Sequence, residues 1–481
     1  MELLPIGLFW CLTFWSLFQR QHILIYLFFG TMPFVSFAAI PPALTGGLTL
    51  TPTPIIALVI VAKQMTSISG IKIAIVTALR ASELLYLFLF WLIAGIFTIF
   101  MPRFFANQVE VLPVRSTGLL STAMLQPTTQ NLSTFIYVSV SVLSVFAFSR
   151  LLRPLEMRIH ILNALCLGAA ITVVTGILDF VSQQLNLQSF LEIFRTASYA
   201  LLVDDEVMDS KRVVGLMPEA SSFGGLALNF LAALYFFKRS MPKGILRDRT
   251  VPLLIILLVL FIWLSTSSSA YLGLAMFGFI AIIEWLWRLI KSQKDPSLNH
   301  ALWKEFFFFA FAIFLLMVIF LAAPYFFDPF LKMVDLMIFQ KSSSTSFEDR
   351  NITTQVSWNA LLATYGLGVG LGGTRASNFL VSMISNTGVL ATSFYLLFVI
   401  LFLFFLKSKE NDMQGKALIS ACRWSYFPPF FAIITVGTTP DFGLFNAFFY
   451  GLAIAIAHKS SRHFSNLGQI AKVSPKHAGF S

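Results

Sequence analysis

The stretch VPLLIILLVLFIWLSTS, residues 251–267, decides the fold class. It contains no charged residue, and its length is typical of an α-helix that crosses a hydrocarbon layer of roughly 30 Å. The whole chain of 481 residues is 57% hydrophobic and only 11% charged, whereas soluble domains carry about 25% charged residues. Because a soluble core cannot bury this much apolar surface, the composition predicts a membrane protein. The apolar runs are continuous rather than alternating, which favours helices over a β-barrel.

Twelve further apolar runs follow the same pattern, so we predict an all-α polytopic membrane protein with about thirteen transmembrane helices. They would form one transmembrane domain, residues 1–457, followed by a flexible cytoplasmic tail, residues 458–481. The segment 66–80 carries two basic residues on an apolar stretch, which is typical of an interfacial helix. We place the thirteen helices at residues 4–18, 23–44, 47–63, 84–101, 134–149, 160–181, 223–237, 251–267, 269–287, 306–324, 379–405, 417–436 and 442–457.

Basic residues collect in the loops on one side of this predicted membrane domain. Short cytoplasmic loops are enriched in lysine and arginine, so this side should be cytoplasmic. The same bias accounts for the net charge of +11 without nucleic acid as a partner. The longer segments 102–133, 182–222 and 325–378 then lie outside, and we expect the function in the last two. The loops that define the basic side contain Arg150, Arg153 and Arg158; Lys238, Arg239, Lys243, Arg247 and Arg249; Arg288, Lys291, Lys294 and Lys304; and Lys407, Lys409 and Lys416.

Several arginines lie in the outer loops, although the charge bias works against them there. A guanidinium presents a planar fork of donors that fits phosphate oxygens. Arg212 and Arg350, if they face one cavity, would therefore hold a diphosphate. The alternative is that each pairs with a nearby loop carboxylate, such as Asp209 for Arg212 and Asp349 for Arg350. Weaker cationic candidates are Arg195, Lys211 and Arg375.

Glu219 precedes predicted helix 223–237 at the membrane surface. One interpretation is structural, because an acidic residue is favoured at a helix N-terminus and Ser221 or Ser222 would cap the helix. The other is a partly desolvated carboxylate that serves as a general base. All six histidines lie on or near the cytoplasmic side in this topology, so an outer base would have to be a carboxylate. Weaker acidic candidates are Asp179 and Asp441.

Glycines alternate along residues 365–373, YGLGVGLGG. No strand precedes this segment, so it does not have the context of a dinucleotide-binding loop. Alternating glycines permit close backbone approach, either to a lipid phosphate or to another helix. The chain contains no HExxH, DxD or Walker motif, and its three cysteines lie in apolar runs, so we expect neither a metal nor another cofactor.

One ordered set of residues resembles the bacterial O-antigen polymerase and O-antigen ligase superfamily. The first group of these residues lies at the end of one outer loop and at the start of the helix that follows. In a later outer loop, an arginine precedes a Gly-x-Gly segment and a further helix. A serine-rich turn, residues 265–269, lies between two spans where the family has a similar turn. The resemblance covers roughly residues 134–457. Its residues are Arg212, Gly215, Glu219 and Ser221 in the first run, and Arg350, Asn378 and Asn386–Gly388 later in the chain.

The resemblance implies a multi-pass glycosyltransferase of the GT-C type in the bacterial inner membrane. Its substrate would be an oligosaccharide linked to polyprenyl diphosphate, used on the periplasmic face without a nucleotide sugar. Arg212 and Arg350 would stabilise the leaving diphosphate, and Glu219 would act as the base or orient Arg212. The substrate-binding residues would be Lys211, Gly215, Ser221, Arg375 and Asn378.

Within the superfamily, ligases transfer glycan to lipid A core and are associated with a histidine in the late outer loop. Loop 325–378 contains none, which favours a polymerase of surface-polysaccharide repeat units, such as O-antigen, capsule or exopolysaccharide. A chain-length regulator is implied as a partner. A flippase or other transporter is the alternative from another class, but it should carry ionisable residues deep within its spans, and here charges in the middle of the predicted spans are nearly absent.

Overall fold

The computed structural model describes residues 3–45, 49–65, 83–114, 121–185, 189–199, 201–202, 206–207, 210–292, 302–322, 335 and 345–472. These residues are mostly helical, with two short antiparallel hairpins. The predicted interfacial helix 66–80 lies outside the described residues, as do residues 325–344 of the outer segment 325–378, except residue 335. The helices are α1 (Leu3–Phe18), α2 (His22–Thr31), α3 (Pro52–Met65), α4 (Glu83–Phe104), α5 (Thr129–Leu151), α6 (Met157–Gln184), α7 (Ser189–Glu192), α8 (Ala220–Phe237), α9 (Val251–Leu264), α10 (Ser268–Ser292), α11 (Leu302–Ala322), α12 (Thr345–Ala363), α13 (Phe379–Ile400), α14 (Met413–Val436) and α15 (Leu444–Lys472).

Short elements complete the backbone. Strands β1 (Glu110–Val111) and β2 (Ala123–Met124) pair with each other, as do β3 (Glu206–Val207) and β4 (Ser210–Lys211). Turns of 3-10 helix lie at Pro42–Leu44 and Lys238–Ser240, and turns of π-helix at Leu246–Thr250 and Leu401–Phe405.

Seven helices in the described part of the chain are long and apolar enough to cross a membrane: α4, α5, α6, α8, α10, α13 and α14. Shorter apolar helices occur at α1, α2, α3 and the first half of α15. By length and composition the chain is therefore a mostly helical, multi-pass membrane protein. A helix lies at each of the thirteen positions predicted from the sequence.

The second predicted helix, residues 23–44, is shorter than expected. It ends at Thr31, because Pro33 has no N–H with which to continue the helical hydrogen bonds. The chain continues instead in tight turns, in which Phe34 N donates to Thr31 O at 3.1 Å. The last helix, by contrast, extends past the predicted end of its span at residue 457.

Ion pairs join the predicted cytoplasmic loops to each other at one end of the bundle. Arg158 donates to Asp412 through NH1 at 2.7 Å, which connects two loops far apart in the chain. A second, buried group joins Arg239 and Arg288 to Glu284, and Arg288 Nε lies 2.9 Å from Glu284 Oε1. This end of the molecule is called the basic end below.

Large apolar side chains cover the outside of the bundle. Leu253 and Ile256 on α9 are 56% and 59% exposed, and Phe404 and Phe405 after α13 are 65% and 67% exposed. In water these surfaces would be unfavourable. In a bilayer they face acyl chains, which matches the membrane assignment.

The glycine-rich segment packs against transmembrane helices. Val369 N donates to Ser385 O on α13 at 2.8 Å. A side chain at Gly368 would place its Cβ 2.6 Å from the backbone N of Gly388. The approach of one backbone to another helix therefore explains these glycines. Positive φ angles occur at Gly366 (79°), Gly368 (78°), Gly370 (84°) and Gly372 (74°), a conformation that favours glycine.

Candidate functional site

A cavity of about 670 Å³ lies at the end of the bundle opposite the basic end. It is enclosed by the N-terminal parts of α8, α10 and α15, the C-terminal part of α14, α12, and the segment before α13. Its volume is in the range of small-molecule sites, roughly 300–1,000 Å³. Four residues predicted from the sequence line it, namely Glu219, Ser221, Arg350 and Arg375.

Glu219 is the N-cap residue of α8 and has an extended backbone, with φ −157° and ψ 161°. Its Oε1 accepts hydrogen bonds from the hydroxyls of Ser221 and Ser222, the second at 3.3 Å. Among the described residues, none donates to its Oε2. The helix start thus fixes the carboxylate at the cavity wall and leaves one oxygen for a ligand.

Arg350 and Arg375 face the same cavity from two different segments. Thr353, one turn after Arg350 on α12, donates to Ser377 Oγ at 2.9 Å, and Ser357 on the same helix donates to Arg375 O at 2.9 Å. Both arginines are half-buried. Within the described ranges neither guanidinium makes an ion pair or a hydrogen bond. Their charges are therefore available to an anion in the cavity.

Buried polar groups hold the backbone around Arg375 in place. Arg375 N donates to Leu112 O at 2.9 Å. Asn386, fully buried on α13, donates through Nδ2 to Thr374 O at 3.0 Å. The glycine-rich segment that packs against α13 leads directly into Thr374 and Arg375. The close packing of this segment positions Arg375.

Arg212 is directed elsewhere. Its Nε donates to Ser265 O and to Thr266 Oγ1, and its NH2 donates to Thr266 O, all at 3.2 Å. The last carbonyls of a helix lack partners within the helix, and a cation there is favoured by the helix dipole, so the end of α9 binds this guanidinium. Arg212 is not among the residues lining the cavity. The expectation that Arg212 and Arg350 share one cavity is therefore corrected, and Arg375 is the arginine found beside Arg350.

The other predicted substrate-binding residues also have structural contacts. Asn378 caps α13, because its Oδ1 accepts from Leu380 N at 3.0 Å and from Val381 N at 3.2 Å. Lys211 lies in β4. Gly215 has a φ of +60° and lies against Phe223. The lining of the cavity includes none of these three.

Asp179, a weak acid candidate in the sequence, holds the loop that carries Arg212. It is 2% exposed, and its Oδ2 accepts from Val214 N at 2.7 Å and from Gly215 N at 3.0 Å. Its Oδ1 pairs with Arg195 NH2 at 3.0 Å. Asp179 therefore holds this loop in place through two hydrogen bonds and an ion pair.

Two asparagines of the lining were missed in the sequence, Asn229 on α8 and Asn446 on α15. The signal was present at Asn229, because an amide within an apolar membrane helix is expensive and commonly functional. Asn446 is close to a helix start, where polar residues are ordinary. Asp349, considered only as a partner for Arg350, also lines the cavity.

The chain was compared with known proteins. No family model matches it, and no curated protein matches it. The chemistry of the cavity is the basis on which a function can be assigned.

Proposed function

We propose that this protein is a polysaccharide polymerase of the bacterial inner membrane. It joins oligosaccharide repeat units carried on polyprenyl diphosphate, on the periplasmic face. The observation that carries the proposal is one cavity, opposite the basic end, that combines Arg350, Arg375 and Glu219. In this proposal the chain crosses the membrane thirteen times, as a GT-C-type enzyme.

The two guanidiniums serve the leaving group. A diphosphate carries several negative charges, and each guanidinium offers a planar fork of donors to its oxygens. As the bond between the anomeric carbon and the phosphate oxygen breaks, negative charge grows on the diphosphate. Fixed cations in a partly dehydrated cavity stabilise this charge strongly. Arg375 takes the role that the sequence suggested for Arg212.

The carboxylate serves the nucleophile. A hydroxyl oxygen of the acceptor glycan forms a new bond to the anomeric carbon, while the lipid diphosphate leaves with the electron pair of the broken bond. The hydroxyl proton passes to Glu219, whose Oε2 accepts no hydrogen bond from the described residues. The lengthened glycan remains on the acceptor lipid, and lipid diphosphate is released.

Replacement of Arg350 and Arg375 by alanine tests the proposal in cells that make the polymer. Each variant should abolish long chains while single repeats accumulate on the lipid carrier. Arg350→Lys should also fail, because an ammonium lacks the fork. Arg103→Ala is the matched control, since Arg103 is exposed at the same end on α4 and donates to a carbonyl of its own helix.

Three results would contradict a polymerase. Normal chain-length distributions in both alanine variants would show that the two arginines take no part in the reaction. Loss of even a single externally exposed repeat would indicate a flippase. Normal polymer that fails to reach lipid A core would indicate a ligase.

A further inference from the structure

Asn229 and Asn446 have a specific orientation in the cavity. Asn229 Nδ2 donates to Gly225 O at 2.9 Å, and Asn446 Nδ2 donates to Phe442 O at 2.8 Å. A carbonyl oxygen only accepts hydrogen bonds, so in each case the amide nitrogen must face it. The Oδ1 of each amide is thereby turned away from the backbone as an acceptor.

These two acceptors receive no hydrogen bond from the residues that the structure describes. Both side chains are partly buried. Asn229 lies ten residues beyond Glu219 along α8, which is roughly 15 Å of helix at 1.5 Å per residue. A polar acceptor that lines a cavity at that depth is available to a ligand group that donates a hydrogen bond.

The space beside Asn229 is open. Gly225, one turn earlier on α8, also lines the cavity, and a Cβ added there would meet no atom within 4 Å. Leu228 and Ile433 are apolar residues of the same lining. A ligand group that reaches Asn229 must therefore combine hydrogen-bond donors with apolar faces, as a pyranose ring does.

We infer that Asn229 and Asn446 bind hydroxyl groups of the glycan, through their Oδ1 atoms. The inference rests on the proposed function and adds the part of the substrate that these residues recognise. The arginines offer only donors, which suit the diphosphate, and the amides offer acceptors, which suit sugar hydroxyls. The two kinds of group line one cavity, in the combination that a glycosyl diphosphate requires.

Asn229→Leu and Asn446→Leu test the inference, because leucine has a similar size and no acceptor. Two measurements are made: polymer formation in cells, and affinity of the purified protein in detergent for farnesyl diphosphate, which carries no sugar. Each variant should form at least about tenfold less polymer, the effect of losing a hydrogen bond in a buried site. Each should bind farnesyl diphosphate within about twofold of the parent, which also shows that it is folded. Asn163→Leu, on α6 outside the lining, is the control and should change neither measurement.

Full polymer formation by both leucine variants would overturn the inference. So would an equal loss of farnesyl diphosphate affinity, since the residues would then act on the lipid diphosphate or on folding. If leucine prevents folding, Asn229→Ala and Asn446→Ala decide the question with the same readouts. Failure of the proposed function is distinguishable, because Arg350→Ala would then leave farnesyl diphosphate affinity unchanged.

Discussion

Thr353 donates a hydrogen bond of 2.9 Å to Ser377, and both side chains are buried. This bond ties α12, which carries Arg350, to the segment that carries Arg375. The two arginines are therefore held in one cavity by neighbouring residues rather than by contacts of their own guanidiniums. An arrangement of this kind keeps both charges free for a ligand and limits the reorganisation needed on binding.

Arg212→Ala should lower stability more than it lowers turnover. The guanidinium donates to Ser265 and Thr266 at the end of α9, and hydrogen bonds of a charged group contribute roughly 1.5–3 kcal/mol each. The melting temperature in detergent should fall, while polymer formed per folded molecule stays close to the parent value. An unchanged melting temperature together with a loss of polymer formation would indicate that Arg212 takes part in the reaction. Arg103→Ala is again the control.

Asp179→Ala should release the loop of residues 212–217. Removing one partner of a buried ion pair costs roughly 3–5 kcal/mol, and here two backbone N–H groups lose their acceptor as well. Proteolysis in this loop should become faster and the melting temperature should fall. Asp179→Asn should lose less stability, because the side-chain amide oxygen still accepts hydrogen bonds from the backbone. Glu192→Ala, an exposed acid nearby, should melt like the parent.

Gly225→Leu should block the cavity without unfolding the protein. No atom lies within 4 Å of a Cβ at this position, so the side chain would extend into the cavity. Polymer formation should fall at least about tenfold while the melting temperature stays near that of the parent. Gly278→Leu is the matched control, because it lies on α10 outside the lining and is equally open. Full activity of Gly225→Leu would show that the substrate does not enter this space.

Asp441→Asn should remove a pH dependence of stability. Burial raises the pKa of Asp441 to about 6, above its ordinary value of roughly 3.9 in an unfolded chain. The folded protein therefore binds this proton more tightly, and its stability falls as pH rises from about 4 to 6. The asparagine variant should match the parent at pH 4 and exceed it at pH 7.5, by about 2–3 kcal/mol at most. Melting curves of both proteins at the two pH values measure this difference in stability. An equal change in stability between the two pH values in parent and variant would contradict the prediction.

Much of the fold could be predicted because its signals are local. A continuous apolar run such as residues 251–267 requires a helix in a membrane, whatever its neighbours are. The second predicted helix is shorter than expected for a local reason too, since Pro33 interrupts it. The start of α8 at Glu219 and Ala220 was readable within a few residues.

The candidate site could be predicted only in part. Glu219, Ser221, Arg350 and Arg375 were identified as single residues and do line one cavity. Arg212 was the stronger candidate and Arg375 the weaker one, although both are arginines of the predicted outer loops. The carbonyls at the end of α9 bind Arg212, and no pattern within residues 210–222 contains that information.

The sequence by itself determined that this chain forms apolar helices in a membrane, with its basic loops on one side, because hydrophobic length and charge bias act on each segment separately. The tertiary structure alone decided which polar residues meet. Arg350, Arg375, Glu219, Asn229 and Asn446 come from three separate helices and one connecting segment. Their meeting depends on how those elements pack, through contacts such as Thr353 with Ser377 and Asn386 with Thr374, between residues too far apart in the chain for any local pattern to specify.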